Sequence, residues 1–458
     1  MARGNGLSDA YTTTLTRLRG QKGNKSVLGW KVLMWVLYSE RPLQAEELCH
    51  ALGVEIGSAD LNSKNVPALR TLIASCLGLV TIEASSSRVR LVHFTLQEHL
   101  LNNPTLFHSP HAASAEVCLT YLNFASVRDL SPTLRSAPST MLFLEYASCY
   151  WGKHTRMGMT ENVKTLALRL LDRFGGHISA HLLLLHHNCD RGSGPYFMGK
   201  AGPKGFTGVH GAAFLGVGEI FSGVLEIKKW DLNATDCMGG AALTWAIGEG
   251  FEEIVKILLE QEDIDPNQAG TSISDRPLSL AAQKGHEGIV KMLLERDDAN
   301  LNHPDAECGR TALRRAAEGG HEGVVKMLLK RDVNPDEPDT EYGRTPLSWA
   351  AEKGKEGILK LLLERKDVKP DQPDTKYGKT PLSWAVYGRR YGVVKMLLKR
   401  KSIDPNQILR PSSETVLLWA TSNGHEEIVK ILLEREDLNP DLPDDHYGLT
   451  PLEMAGLK

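Results

Sequence analysis

The segments GRTPLSWAAEKGKEGILKLLLER from Gly343 and GKTPLSWAVYGRRYGVVKMLLKR from Gly378 align along their whole length, 35 positions apart. This period constrains the chain more than any other feature, because a unit of about 20 to 45 residues cannot bury a core alone and must stack on its neighbours. The leucine after the Thr-Pro slot recurs at Leu243, Leu278, Leu313, Leu347, Leu382, Leu417 and Leu452, spaced by 35, 35, 34, 35, 35 and 35. Val209 fills the same slot one unit earlier, so seven full units and a truncated eighth span Gly205 to Lys458.

Each unit has a physical reading. Thr345, Thr380 and Thr450 stand before Pro346, Pro381 and Pro451, a capping hydroxyl followed by a proline at the first helical position. Apolar slots such as Leu347, Ala350 and Ala351 share one face of the short helix that starts there, and the alanines let a neighbouring helix come close. Gly216, Gly250, Gly285, Gly320, Gly354 and Gly424 then occupy one slot, where a left-handed residue ends the helix. A second helix follows with paired apolar slots such as Val324-Val325 and Leu328-Leu329, and turn-forming clusters such as Asn334-Pro335-Asp336 close the unit. Helix, tight turn, helix and projecting loop resemble the ankyrin repeat, down to the Gly-His pairs at Gly285-His286, Gly320-His321 and Gly424-His425. Two departures stand out: Arg389 replaces a turn glycine, and Gly205 to Trp230 is degenerate, as a terminal cap would be.

The first half follows another pattern. Apolar helical stretches at Gly29 to Tyr38, around Glu46 to Leu52 and at Val66 to Cys76 precede two β-branched runs, Leu79 to Glu83 and Arg88 to Phe94, around the polar turn Ala84 to Ser87. Three helices and a hairpin suggest a winged helix. The stretches LGWKVLMWVLYSERPLQAEELCHALGVEIG, GLVTIE and RVRLVHFTLQEHL resemble the winged helix that follows the NACHT nucleotide-binding module in fungal STAND, or NLR-like, proteins, and EYASCYWGKH from Glu145 resembles that family's helical spacer. The expected organisation is an N-terminal helical remnant over 1–26, a winged-helix-like domain over 27–103, a helical spacer over 104–189, a Gly- and Pro-rich linker over 190–204 and ankyrin repeats over 205–458. The fold class is therefore mainly α, a C-terminal ankyrin solenoid behind a winged helix and a helical spacer.

Composition removes several function classes. With 53 Lys plus Arg against 56 Asp plus Glu, a formal charge of -3, the 458-residue chain has no global basic field for nucleic acid or anionic lipid. The third winged-helix segment offers only Arg70, and the hairpin Arg88 and Arg90, too little for phosphate contacts. Seven cysteines stand singly, without a CxxC pair, which suits a reducing compartment. Met1 to Gly20 is polar, unlike a signal peptide. Val27 to Tyr38 carries Lys31 and is shorter than the roughly 20 residues that span a bilayer. A cytoplasmic or nuclear monomer with protein partners, no cofactor and no metal is expected.

In the resembled family a Walker A loop performs the ATPase chemistry, and the chain is expected to begin after that module. Gly194 to Lys200 imitates a P-loop, yet Ala201 replaces the magnesium-binding hydroxyl and Gly202-Pro203 blocks the helix that would cradle phosphate. The resemblance makes His93 a relic of a nucleotide contact. His177 with His181, near His186, His187 and Cys189, could share a helical face, but no acidic third ligand is fixed nearby in sequence and the segment reads as a packed helix end. No nucleophile motif points to an enzyme.

The repeats supply the candidate site. With the threonine slot numbered 1, slots 3, 6 and 7 are buried and slot 5 lies roughly 200° from slot 3. Trp245, Trp349, Trp384 and Trp419 occupy slot 5, with Arg315 between. These residue types dominate binding hot spots, so they form a candidate protein-binding row; packing of the indoles between adjacent repeats is the alternative. Asp336, Glu337, Asp339, Asp371 and Asp374 load the loops with acid, while Lys256, Lys291, Lys326, Lys360, Lys395 and Lys430 recur on the second helices. This asymmetry would steer a basic partner toward the loops. The expected function is a non-enzymatic interaction scaffold or regulator, a shortened NLR-like sensor or accessory protein. The alternatives are a fragment or subunit of a STAND-type signalling NTPase, and a transcription-related regulator acting through the winged helix.

Overall fold

The computed structural model describes residues 4–134, 136–190, 204–268, 276–305, 308–409, 414–443 and 448–456, divided into two compact units, Met1–Cys237 and Met238–Lys458. The P-loop imitation over 194–200, and most of the expected linker, lie outside the described residues.

In the first unit, α1 (Gly4–Arg19), α2 (Lys25–Tyr38), α3 (Ala45–Gly53) and α4 (Leu69–Ser75) lead into an antiparallel hairpin of β1 (Val80–Ile82) and β2 (Val89–Leu91), in which Thr81 faces Arg90. The helix α5 (Phe94–Leu101) follows. This is the winged helix expected from the alternation of helical and β-branched segments. Its core gathers Val32, Leu33, Trp35, Leu48, Leu72, Val80 and Val89, all buried. Five further helices follow in the same unit: α6 (Pro110–Leu122), the short α7 (Ala125–Arg128), α8 (Leu144–Met157), α9 (Glu161–Leu171) and α10 (Ile178–Asp190). Helix α8 packs on α6 and α10 through the buried Tyr121, Phe143, Tyr146 and Trp151.

The degenerate first repeat, α11 (Gly208–Leu215) and α12 (Gly218–Ile227), belongs to this unit and packs on α9. Sequence explains the attachment: Gly208 and Gly211 bring α11 against Leu171 and Phe174, where a Cβ would collide with the Leu171 carbonyl and the Phe174 ring.

The second unit repeats one helix pair: α13 (Ala242–Glu249) with α14 (Glu252–Leu259), α15 (Pro277–Lys284) with α16 (Glu287–Leu294), α17 (Ala312–Gly319) with α18 (Glu322–Leu329), and α19 (Pro346–Lys353) with α20 (Glu356–Glu364). Next come α21 (Pro381–Tyr387) with α22 (Tyr391–Leu398), then, after the two-residue strands β3 (Ile408–Leu409) and β4 (Glu414–Thr415), α23 (Val416–Ser422) with α24 (Glu426–Leu433), and finally α25 (Pro451–Gly456). First helices stack on first helices and second on second. The hydroxyls of Thr311, Thr345, Thr380 and Thr415 accept the N–H groups of Arg314, Ser348, Ser383 and Leu418, the caps expected from the motif.

The turn slot shows why glycine recurs there. Gly250, Gly285, Gly320 and Gly354 have φ between 72° and 87°. Arg389, in the same slot, is forced to φ 56°, in the left-handed region that favours glycine.

Candidate interaction surface

Three slot-5 residues, Arg315, Trp349 and Trp384, are tied to the loop that precedes their own helix. Asp339 Oδ1 accepts the N–H groups of Tyr342 at 2.7 Å and Gly343 at 3.1 Å, closing the loop, while its Oδ2 accepts the Trp349 indole N–H at 2.7 Å. Asp374 repeats this with Tyr377 N–H at 2.5 Å and the Trp384 indole at 2.9 Å. Asp305 does the same with Cys308 N–H at 2.8 Å and the Arg315 guanidinium at 3.0 Å. In these three units one carboxylate therefore fixes both a turn and a slot-5 side chain.

Burial follows. Trp349 is 8% exposed and Arg315 7%, whereas Trp245, Trp384 and Trp419 are half-buried. At Trp349 and Arg315 the row is folded sideways, because slot 5 there meets the loop rather than solvent.

Cations fill the spaces between the indoles. The Arg314 guanidinium lies 4.2 Å from the Trp349 ring centre, and Arg344 lies between Trp349 at 4.0 Å and Trp384 at 3.5 Å. Lys379 sits 4.8 Å from Trp384 and 3.7 Å from Tyr387, which stacks on Trp419 at 4.2 Å. Tyr342 and Tyr377 form a parallel outer row 6.2 Å apart. Each such contact contributes about 0.5 to 2 kcal/mol, the more so where the cation is desolvated. Burial lowers the basicity of Arg314, Arg344 and Lys379, and Glu318 and Glu352 offset it by pairing with the two arginines at 2.9 Å and 2.6 Å. The result is a ladder of alternating aromatic and cationic groups whose inner members are core and whose edge, Tyr342, Tyr377, Lys379, Trp384, Tyr387 and Trp419, is half-exposed.

Three of the five loop acids do not present their charge to solvent. Asp336, Asp339 and Asp374 are 8%, 3% and 3% exposed, so their charge faces inward. Glu337 and Asp371 are half-buried; Glu337 accepts the Asn334 side-chain N–H at 2.6 Å, and Asp371 accepts the Asp404 backbone N–H at 3.1 Å. Asp444 and Asp445 lie outside the described residues.

Other ties escaped the sequence reading although they recur in register. Arg296, Arg331, Arg365, Arg400 and Arg435 donate to the carbonyls of Leu259, Leu294, Leu329, Leu363 and Leu398, at the end of the preceding unit's second helix, where positive charge also complements the helix dipole. The signal was present as an arginine every 34 or 35 residues.

In the first unit, His93 is exposed and caps α5, its Nδ1 accepting the Thr95 N–H at 3.2 Å. His177 does not share a ligand face with His181. It precedes α10, with Nδ1 2.7 Å from the Ser179 hydroxyl and Nε2 donating to the Leu122 carbonyl at 3.0 Å.

Comparison with known proteins agrees with these two architectures. Residues 269–339 and 333–409 match the family described as ankyrin repeats in three copies, residues 413–445 match the single ankyrin repeat, and residues 13–114 match the winged helix domain of GPI inositol-deacylase. No curated protein matches the chain. Among solved structures, the crystal structure of the human ASB11 ankyrin repeat domain is 24% identical, covers 47% of this chain and 92% of that one, and has a TM-score of 0.40. The protein is thus mainly helical, with ankyrin repeats in its C-terminal half, a protein-interaction module, and a GPI-inositol-deacylase-type winged helix in its N-terminal half.

Proposed function

We propose that the chain is a non-enzymatic protein-binding scaffold or regulator, and specifically an NLR-like sensor or accessory protein in which the repeats recognise a protein. The observation that carries this reading is the half-exposed edge of the ladder. Tyr342, Tyr377, Trp384 and Trp419 offer aromatic faces held in place by an internal hydrogen bond, ring stacking and the Lys379 cation, with the half-buried Trp245 at the start of the row. Such rigid aromatic anchors lose little entropy on binding. The winged helix contributes a second feature: Val92 and Phe94, beside His93, are 51% and 64% exposed and form an apolar face suited to a neighbouring domain, which fits engagement of a nucleotide-binding partner. No helix among the described residues is long and apolar enough to cross a membrane.

The test is quantitative cross-linking capture from the native cell with the wild-type chain and with Tyr377→Ser combined with Lys379→Glu. Loss of one specific partner at unchanged melting temperature supports the reading. Equal capture by both proteins refutes the ladder edge as the recognition surface.

A further inference from the structure

Three side chains far apart in sequence converge in the first unit. Glu40 follows α2, His111 lies in the first turn of α6, and His154 lies in the last turn of α8. The His111 and His154 Nδ1 atoms are 3.0 Å apart, and a Glu40 carboxylate oxygen lies within 4.8 Å of a ring nitrogen of each. From these distances and the surrounding groups we infer that Glu40, His111 and His154 form a binding site for a zinc-class divalent cation.

Geometry supports this first. An ion at about 2.0 to 2.1 Å from both imidazole nitrogens would subtend an angle of roughly 95° between them, and a carboxylate with a water would complete the open coordination used by zinc. The orienting groups are also in place. His154 is fully buried, its Nε2 lies 2.8 Å from the Tyr146 hydroxyl, and that hydroxyl accepts the Glu40 backbone N–H at 3.0 Å. With Nε2–H donating to Tyr146, the His154 Nδ1 lone pair points to His111, the second-sphere arrangement typical of metal-ligating histidines.

Charge and access are compatible as well. The nearby Arg41 is neutralised by Glu47, which receives its guanidinium at 2.6 and 2.8 Å. Glu40 and His111 are half-exposed, and Glu40 borders an open cavity of about 440 Å³ through which a hydrated ion can enter. Two imidazoles and one carboxylate favour zinc, cobalt or nickel over magnesium or calcium, which prefer oxygen ligands. Without an ion, the close Nδ1 pair must hold a proton between its nitrogens, so one histidine takes the Nδ1–H tautomer.

The experiment uses the full chain after chelator treatment and desalting, titrated with Zn²⁺ by calorimetry and with Co²⁺ by visible absorption. One equivalent should bind, with tetrahedral-type Co²⁺ bands. Glu40→Gln should weaken binding at least tenfold and His111→Gln should abolish it, while the metal-free melting of both variants stays within a few degrees of wild type. If His111→Gln does not fold, Glu40→Gln decides alone. Absence of binding to the wild-type chain, or equal affinity in the folded variants, overturns the site and leaves a hydrogen-bonded histidine pair.

Discussion

Asp339 receives the indole N–H of Trp349, ten residues ahead of it, at 2.7 Å, while its second oxygen holds the loop N–H groups of Tyr342 and Gly343. The pair links an acid read as an external charge to an aromatic read as an external anchor, and turns both into core. Trp349→Phe keeps an aromatic ring, smaller than the indole, and removes the donor, leaving a buried carboxylate oxygen beside the Arg314 Nε at 3.8 Å. The expected cost is about 1 to 3 kcal/mol. Trp349→Ala should cost about 3 to 5 kcal/mol, and Trp384→Ala, at a half-exposed site, less. Urea unfolding of the three variants checks the order; a Trp349→Ala chain as stable as wild type would show that the indole is not part of the core.

A second prediction concerns a periodic Asx slot. Asn267, Asn302 and Asn406 accept a backbone N–H of the next unit through Oδ1 and donate through Nδ2 to the carbonyls of Asp298, Asp332 and Asp437. Asp336 occupies the same slot and accepts the Lys369 N–H at 2.8 Å, but its other oxygen is buried with no hydrogen-bond partner among the described residues. Burial pushes its carboxyl above the usual range. Asp336→Asn should restore the missing donor and stabilise the protein by about 1 kcal/mol. The wild-type penalty applies to the ionised form, so it is relieved as pH falls through the raised folded pKa and is absent from the asparagine variant. Denaturation of both chains at pH 4 and pH 7 should show a larger difference at pH 7.

Arg389 is the third test. Arg389→Gly places glycine at φ 56°, where the other units carry it, and should stabilise by about 0.5 to 1 kcal/mol, the relief of left-handed strain less the entropy glycine adds to the unfolded chain. A lowered melting temperature would mean that the arginine side chain contributes more than its backbone costs.

Acid should weaken the first unit. Burial, helped by the neighbouring His111, depresses the His154 imidazole to about 3, and burial takes His177 to about 4. Both are depressed bases, so the folded state binds fewer protons than the unfolded chain, whose histidines titrate near 6.5. Their contribution is complete above about pH 6.5 and falls progressively toward pH 4 and 3. Hydrogen exchange in α6 and α8 should accelerate between pH 7 and 4.5 after correction for intrinsic rates. Unchanged protection would contradict the neutral, buried assignment.

The second compact unit, Met238–Lys458, should fold alone as a helical monomer, since a solenoid repeat depends on its immediate neighbours. Within it Leu362, fully buried, should cost about 2 to 5 kcal/mol on truncation to alanine. Circular dichroism and sedimentation of the fragment test both statements, and an unfolded fragment would make the first unit an obligate part of its core.

The sequence by itself determined what is local or periodic. A threonine before the first turn, alanines at slots 6 and 7 and a glycine 35 residues from the next define a helix pair whose hydrophobic face can be satisfied only by another copy. The winged helix was legible for a similar reason, because β-branched runs around Ala84 to Ser87 can pair with each other without distant help. What only the tertiary structure decided is the direction of side chains at the boundary between helix and loop. Slot 5 lies opposite slot 3 on an isolated helix, but the loop folds back over it, and an aspartate ten residues upstream ties down the indoles of Trp349 and Trp384, burying the first and leaving the second half-exposed. Nothing in a helical wheel contains that loop. The Glu40, His111 and His154 cluster was invisible for a stronger reason: its members come from three elements whose approach is set by the packing of α6 on α8, so no spacing along the chain records it.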